Sequence, residues 1–188
     1  MGFTRAELEA FRDASLPDLV GPGLRLLFVG INPGLWTAAT QTHFARPGNR
    51  FWPALRRAGV IDRTFDLHTG MTDDDRAYLV ARGLGNTNLV NRATVRADEL
   101  TPEELRAGRT RLEDLVARHR PVVVAVAGIT AYRLAFGRRT ARPGEQPEDL
   151  HGARLWLVPN PSGLNAHETI DSLAVAYAGP ARAAGVLG

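Results

Sequence analysis

Leu24-Arg25-Leu26-Leu27-Phe28-Val29-Gly30-Ile31 runs straight into Asn32-Pro33-Gly34. Eight residues with a single charge and several branched apolar side chains suit a buried strand. The Asn-Pro-Gly that follows forces a sharp turn, because proline fixes φ and its neighbours accept unusual backbone angles. Pro121 to Ala127 (PVVVAVA) repeats the pattern and is the clearest buried strand of the chain. A third, Leu155 to Val158, ends at Pro159-Asn160-Pro161-Ser162-Gly163. Strands that are apolar almost throughout are covered on both faces, which points to a parallel sheet between helices.

Helical periodicity fills the intervals. Residues 4–14 carry Leu8, Phe11 and Ala14 at helical spacing behind a Thr4 N-cap. Asn49 to Ala58 reads as a helix capped by Asn49, with Phe51, Trp52, Leu55 and Ala58 on one face. Thr72-Asp73-Asp74-Asp75 opens another, acidic where the helix dipole favours it. Thr101-Pro102-Glu103-Glu104 combines a cap, proline at the first helical position and Glu at the third, and predicts a helix to about Arg118. Thr130 to Phe136 is a short helix, and a last one covers Glu168 to Ala184 with a stop near Gly179-Pro180. Thr87 to Val90 reads as a short strand, and 137–152, rich in Arg, Gly, Pro and acids, as an exposed loop. The expected fold is a three-layer α/β/α sandwich around a mainly parallel central sheet. It is one domain over 1–188, with residues 1–20 as an N-terminal helical extension.

Composition narrows the chemistry. A chain of 188 residues without cysteine has no disulfide, thiolate nucleophile, Cys-bound zinc or iron–sulfur cluster. The N-terminus lacks the cationic and apolar regions of a secretory signal, and no apolar run approaches membrane-spanning length. The expectation is a cytoplasmic, monomeric protein. Net charge is only +3, but all 23 basic residues are arginine. Arginine offers a planar fork for phosphate, yet the codon bias of a GC-rich genome gives the same total. Arginine placement therefore carries the argument for nucleic acid, and arginine number does not.

In open α/β sheets, ligands bind off the carboxyl ends of the strands. The polar loops Gly30–Gly34 and Pro159–Leu164 both stand there, so the sheet joins two segments more than 120 residues apart. The first loop lacks both Gly-x-Gly-x-x-Gly and Gly-Lys-Ser/Thr, so neither nucleotide-phosphate fingerprint is met. Taken singly, each loop is also what an ordinary tight turn looks like. The five histidines (43, 68, 119, 151 and 167) show no metal-ligand spacing and read as surface or loop residues. No metal and no cofactor is expected.

Four blocks resemble the mismatch-specific uracil/thymine DNA glycosylase family of the uracil-DNA glycosylase superfamily. They are Leu24–Gly34, Phe44-Ala45-Arg46-Pro47-Gly48-Asn49-Arg50-Phe51-Trp52, Thr87-Asn88-Leu89-Val90-Asn91-Arg92-Ala93-Thr94 and Pro159-Asn160-Pro161-Ser162-Gly163-Leu164. They occur in the family's order over roughly residues 22–180. The resemblance implies an α/β sandwich that flips a uracil, foremost from G:U mispairs, or another damaged pyrimidine out of double-stranded DNA and hydrolyses its glycosidic bond to leave an abasic site. By resemblance, Asn32 positions the attacking water and Asn160 completes the catalytic pair. The most efficient relatives carry Asp and His at these two places, so the implied enzyme is slower. Main-chain N–H groups at Ile31 and around Phe44 would bind the uracil carbonyls, Phe44 would stack on the base, and Asn88 would border the pocket. Gly34 stands where strict uracil enzymes carry a Tyr that excludes thymine, and leaves the pocket open. Thr37 lies near the base C5. Gly163 and Leu164 would wedge into the helix, and Ser162 would hold a phosphate. Asn165-Ala166 replaces the Ser-Arg of bacterial relatives, weakening the expected reading of the opposite guanine. An acid at Ala93 would act on the water; alanine there removes it. Two other classes compete: a catalytically silent damaged-DNA binding module of the same fold, and a small-molecule phosphate-binding enzyme built on the Gly30–Gly34 turn.

Overall fold

The protein, described over residues 2–188 in a computed structural model, alternates strands and helices. In chain order they are α1 (Arg5–Glu9), β1 (Leu26–Gly30), α2 (Leu35–Thr40), α3 (Phe51–Arg57), α4 (Asp73–Ala81), β2 (Leu84–Asn88), α5 (Pro102–His119), β3 (Val123–Ala127), α6 (Ile129–Phe136), β4 (Gly144–Leu150), β5 (Ala153–Val158) and α7 (Ile170–Ala183). A 3-10 turn spans Ala97–Glu99. The sheet order is β2-β1-β3-β5-β4. All neighbours are parallel except β4, which runs antiparallel to β5.

Alternate residues of each strand serve opposite faces, as the pleat requires. Leu27, Val29, Val124, Val126, Leu155 and Leu157 pack with Leu105, Leu112 and Val116 of α5 and Tyr132 of α6. Leu26, Phe28, Val123, Ala125 and Val158 pack with Phe51, Trp52 and Leu55 of α3, Leu79 of α4 and Tyr177 of α7. The result is the expected α/β/α sandwich. No helix among the described residues is long and apolar enough to cross a membrane.

Strand register levels the carboxyl ends: Gly30 lies opposite Asn88, and Ala127 opposite Val158. The chain turns one way from β1 to reach β2 and the other way to reach β3, which opens a crevice between the loops that follow β1 and β3.

Several sequence expectations need correcting. The loop read over 137–152 contains β4, an edge strand whose alternating burial and Pro147 fit a place where one side of the backbone needs no partner. The strand read at 87–90 lies at 84–88. The six-residue α2 escaped notice; it starts from Gly34 with no side-chain cap. The N-cap of α3 is Arg50 rather than Asn49, although the Asn49 Oδ1 accepts from the Phe51 N–H at 2.9 Å. The last helix runs through Pro180 to Ala183, so its expected end at Ala184 holds and the earlier stop near Gly179-Pro180 does not. The first helix ends at Glu9, well short of residue 14.

Candidate active site

A cleft of about 800 Å³ opens at the carboxyl ends of the strands. Ile31, Asn32, Gly34, Thr37, Phe44, Asn88, Asn160, Ser162, Leu164 and Asn165 all line it. Gly163 lies in the same loop but off the lining, and Ala93 does not reach the cleft. Ala93 is fully buried among Leu35 and Ala38, with Leu8, Phe11 and Ala14 against it, and its main chain pairs with Asp13 and Ala14.

Asn32 is held by one half of its amide. Its Nδ2 donates to Thr94 Oγ1 at 2.7 Å, to the Arg92 carbonyl at 3.0 Å and to the Pro33 carbonyl at 3.2 Å. The Thr94 hydroxyl donates its own proton to the Arg96 carbonyl at 2.7 Å, so towards Asn32 it acts as acceptor. Three acceptors around one end fix the amide orientation and leave Oδ1 as the group offered to the cleft. The loop itself is clamped, because the Thr94 N–H donates to the Pro33 carbonyl at 3.1 Å and Gly34 bridges to Thr94.

Phe44 and Asn88 meet over Gly30. A Cβ at Gly30 would sit 2.5 Å from Asn88 Oδ1 and 3.3 Å from the Phe44 ring, so only glycine fits. Phe44 adopts φ 57°, a left-handed conformation that costs a non-glycine residue roughly 1–3 kcal/mol. It is held there by stacking on Phe51, with ring centroids 3.9 Å apart, and by Trp52 Nε1, which donates to the His43 carbonyl at 2.8 Å. The main-chain N–H groups of Ile31 and Phe44 meet no acceptor among the described residues, so both remain available to a ligand carbonyl.

His43 is 5% exposed, against the surface reading of the histidines. Burial pushes its pKa down to about 4. Its Nε2 lies 3.1 Å from the Pro17 carbonyl, which can only accept, so the proton is on Nε2. Nδ1 is then bare and faces the Asn88 Nδ2 at 3.5 Å. That contact turns the Asn88 amide so that Oδ1 looks over Gly30.

The loop after β5 is tied from below. Asn160 Oδ1 accepts from the Ser162 N–H at 3.0 Å, and the Asn160 carbonyl accepts from Asn165 Nδ2 at 3.0 Å. Asn160 Nδ2 is left without a protein acceptor among the described residues. Arg50, at the start of α3, donates to the Ser162 carbonyl at 2.6 Å, the Asn165 carbonyl at 2.7 Å and the Glu168 carbonyl. A Cβ at Gly163 would lie 2.7 Å from the Gly48 carbonyl oxygen, so glycine permits this close approach. Leu164, at the tip, is 75% exposed.

The charged lining consists of Arg46, Arg96 and Asp98, and Asp98 is paired with Arg96 at the mouth. Neutral amides therefore dominate the floor. No group of three or more His, Asp or Glu side chains among the described residues could hold a metal ion. Sequence reasoning assigned no role to Thr94, Arg50 or His43. Thr94 and Arg50 stand inside the motif blocks, which was the available signal; the burial of His43 had none.

The arrangement is an α/β/α sandwich with an amide-lined pocket at the carboxyl ends of its strands, and comparison with known proteins gives its family. The sequence model of the uracil DNA glycosylase superfamily matches residues 17–178. The chain belongs to that superfamily, whose members are DNA glycosylases, hydrolases of base-excision repair. Among solved structures, the chain resembles a solution NMR structure described as that of a "putative Uracil DNA glycosylase" from Methanosarcina acetivorans. The two are 14% identical, with a TM-score of 0.58 over 92% of this chain and 96% of the other. At that identity the likeness concerns the fold.

Proposed function

We propose that the protein is a monofunctional glycosylase of the mismatch-specific type. It flips a uracil out of double-stranded DNA, foremost from G:U mispairs, and hydrolyses its N-glycosidic bond to leave an abasic site, without cofactor. The observation that carries this reading is the one-ended restraint of Asn32. An amide whose nitrogen is fully engaged offers a fixed acceptor. A water donating to Oδ1 is oriented without being deprotonated, and its oxygen is aimed at C1′ of a flipped nucleotide. The C1′–N bond electrons leave with the base, the water oxygen joins C1′, and the surplus proton passes to solvent or to the base. Negative charge on the departing base is met by preorganised donors: the Ile31 and Phe44 N–H groups and Asn160 Nδ2. Asn88 Oδ1 suits the N3–H of uracil, which cytosine lacks. A Cβ at Gly34 would meet nothing within 4 Å, so the pocket has room for bulkier pyrimidines. Leu164 fills the place of the flipped nucleotide, and Ser162 holds a phosphate. The protein acts as a monomer on DNA in the cytoplasm.

The test is incubation with duplexes carrying G:U, A:U and G:T, and with single-stranded U, followed by alkaline cleavage at abasic sites. Uracil release that Asn32→Ala abolishes, with duplex binding retained, is the expected result. A wild-type protein that binds these duplexes and releases no base would be a binding module instead.

A further inference from the structure

A second groove, of about 960 Å³, lies beside the cleft and shares Gly34, Arg46 and Val95 with it. Its far wall is α1, which contributes Arg5, Ala6, Leu8 and Glu9, with Arg12 of the turn that follows. This wall precedes the segment that matches the superfamily, which begins at residue 17. The wall therefore lies outside the segment that defines the superfamily match.

The wall is firmly placed. Phe3 packs edge-on against Trp36, with centroids 5.0 Å apart. Leu8, Phe11 and Ala14 pack against Leu35, Ala38 and Ala93. Two main-chain bonds of 2.9 Å, Asp13 N–H to Ala93 carbonyl and Ala93 N–H to Ala14 carbonyl, stitch it to the loop that also holds Asn32. Its charge is one-sided. The single acidic lining residue, Glu9, is taken up by Arg12, which also bridges to Glu99 at 2.7 Å. Arg5 and Arg46 are exposed and make no ion pair among the described residues. They stand at opposite sides of a groove that continues from the base pocket.

We propose that this groove seats the sugar–phosphate backbone of the damaged strand beside the flipped nucleotide, with Arg5 and Arg46 on its phosphates. The proposal rests on the glycosylase reading for its partner. Three features favour a DNA strand over another occupant: the groove is continuous with the cleft, its free charge is positive, and its walls carry apolar atoms of Leu8, Leu35, Trp36 and Pro47 on which deoxyribose can lie. Arg5 is then a phosphate contact far from the reacting atoms, and its effect is on affinity and salt dependence, not on chemistry.

The experiment compares wild type with Arg5→Gln and Ala6→Glu, using one G:U duplex. Duplex affinity is measured at 50 and 200 mM salt, and single-turnover uracil release at saturating protein. Each phosphate contact adds about 0.9 to the slope of log affinity against log salt. Loss of the Arg5 contact should lower that slope by about 0.9, so the wild-type advantage shrinks about 3.5-fold over this range. Ala6→Glu places a negative charge on the same wall and should weaken binding, most at low salt. Release at saturation should match wild type in both. Wild-type affinity and slope in both variants would overturn the proposal. So would a concentration-dependent dimer that Ala6→Glu disrupts without changing DNA affinity, because the groove would then seat a second copy. Failure of the glycosylase reading looks different: wild type would bind the duplex, with the Arg5 effect present, and release no uracil.

Discussion

Thr94→Val removes one oxygen and keeps the shape of the side chain, which makes it a direct test of how Asn32 is aimed. In the native site Thr94 Oγ1 accepts from Asn32 at 2.7 Å and donates to the Arg96 carbonyl at 2.7 Å, and the residue is 1% exposed. Valine leaves the Arg96 carbonyl and one Asn32 N–H without that partner, and a buried polar group left unpaired costs about 1–3 kcal/mol. Asn32 retains the Arg92 and Pro33 carbonyls at 3.0 and 3.2 Å, so its amide is loosened and not released. If about 1–2 kcal/mol of that loss falls on the transition state, single-turnover excision slows by roughly 5- to 30-fold. Thr94→Ser restores the hydroxyl and should restore most of the rate, while duplex affinity stays at the wild-type level for both. The assay is uracil release from a G:U duplex under single-turnover conditions, with thermal melting measured in parallel. Equal rates in Thr94→Val and wild type, or an equal loss in Thr94→Ser and Thr94→Val, would refute the orienting role.

Leu164→Ala should slow excision from duplex DNA far more than from single strands, which have little stack to break, and the deficit should not grow with salt because the side chain is apolar. Equal losses on the two substrates would rule out the wedge. The buried, neutral His43 makes the fold acid-sensitive: its pKa is held at about 4 when folded and is near 6.5 when unfolded. Above pH 6.5 both forms are neutral and this stability is intact. As pH falls, the unfolded chain takes up the proton first, so about 2 kcal/mol is lost by pH 5. Denaturant unfolding at pH 7 and 5 should show a smaller pH effect for His43→Gln, and an unchanged pH effect would contradict this account.

What could be read from the sequence follows from where the information sits. Strand β3 was legible because PVVVAVA has no other stable place than between two helical layers. Helix α5 announced itself through Thr101-Pro102-Glu103-Glu104, and its capping box is present. The two site loops were found because both follow apolar strands, which fixes the end of the sheet they share. Strand β2 was misplaced because Asn86, Thr87 and Asn88 are polar yet buried, satisfied in part by tertiary partners such as Asp18 and Arg111. Strand β4 was missed because GEQPEDL is polar on an exposed edge, where no hydrophobic pattern is needed. Likewise, nothing local in Thr94 or Arg50 reveals that their partners lie 62 and 112 or more residues away.

Arg50 bears on how the protein would find its substrate. By gripping three carbonyls of the loop that carries Leu164, it makes the probing tip stiff before any DNA is met. A stiff tip loses little freedom on insertion, and it cannot yield to a well-stacked helix. The bending and unstacking at each encounter must then be borne by the nucleic acid. On the proposed wedge role of Leu164, base pairs that open cheaply would admit the tip and sound ones would push it out. In such a protein, part of the discrimination between a mispair and a Watson–Crick pair is written in the mechanics of the duplex, at positions where no side chain needs to touch a base edge.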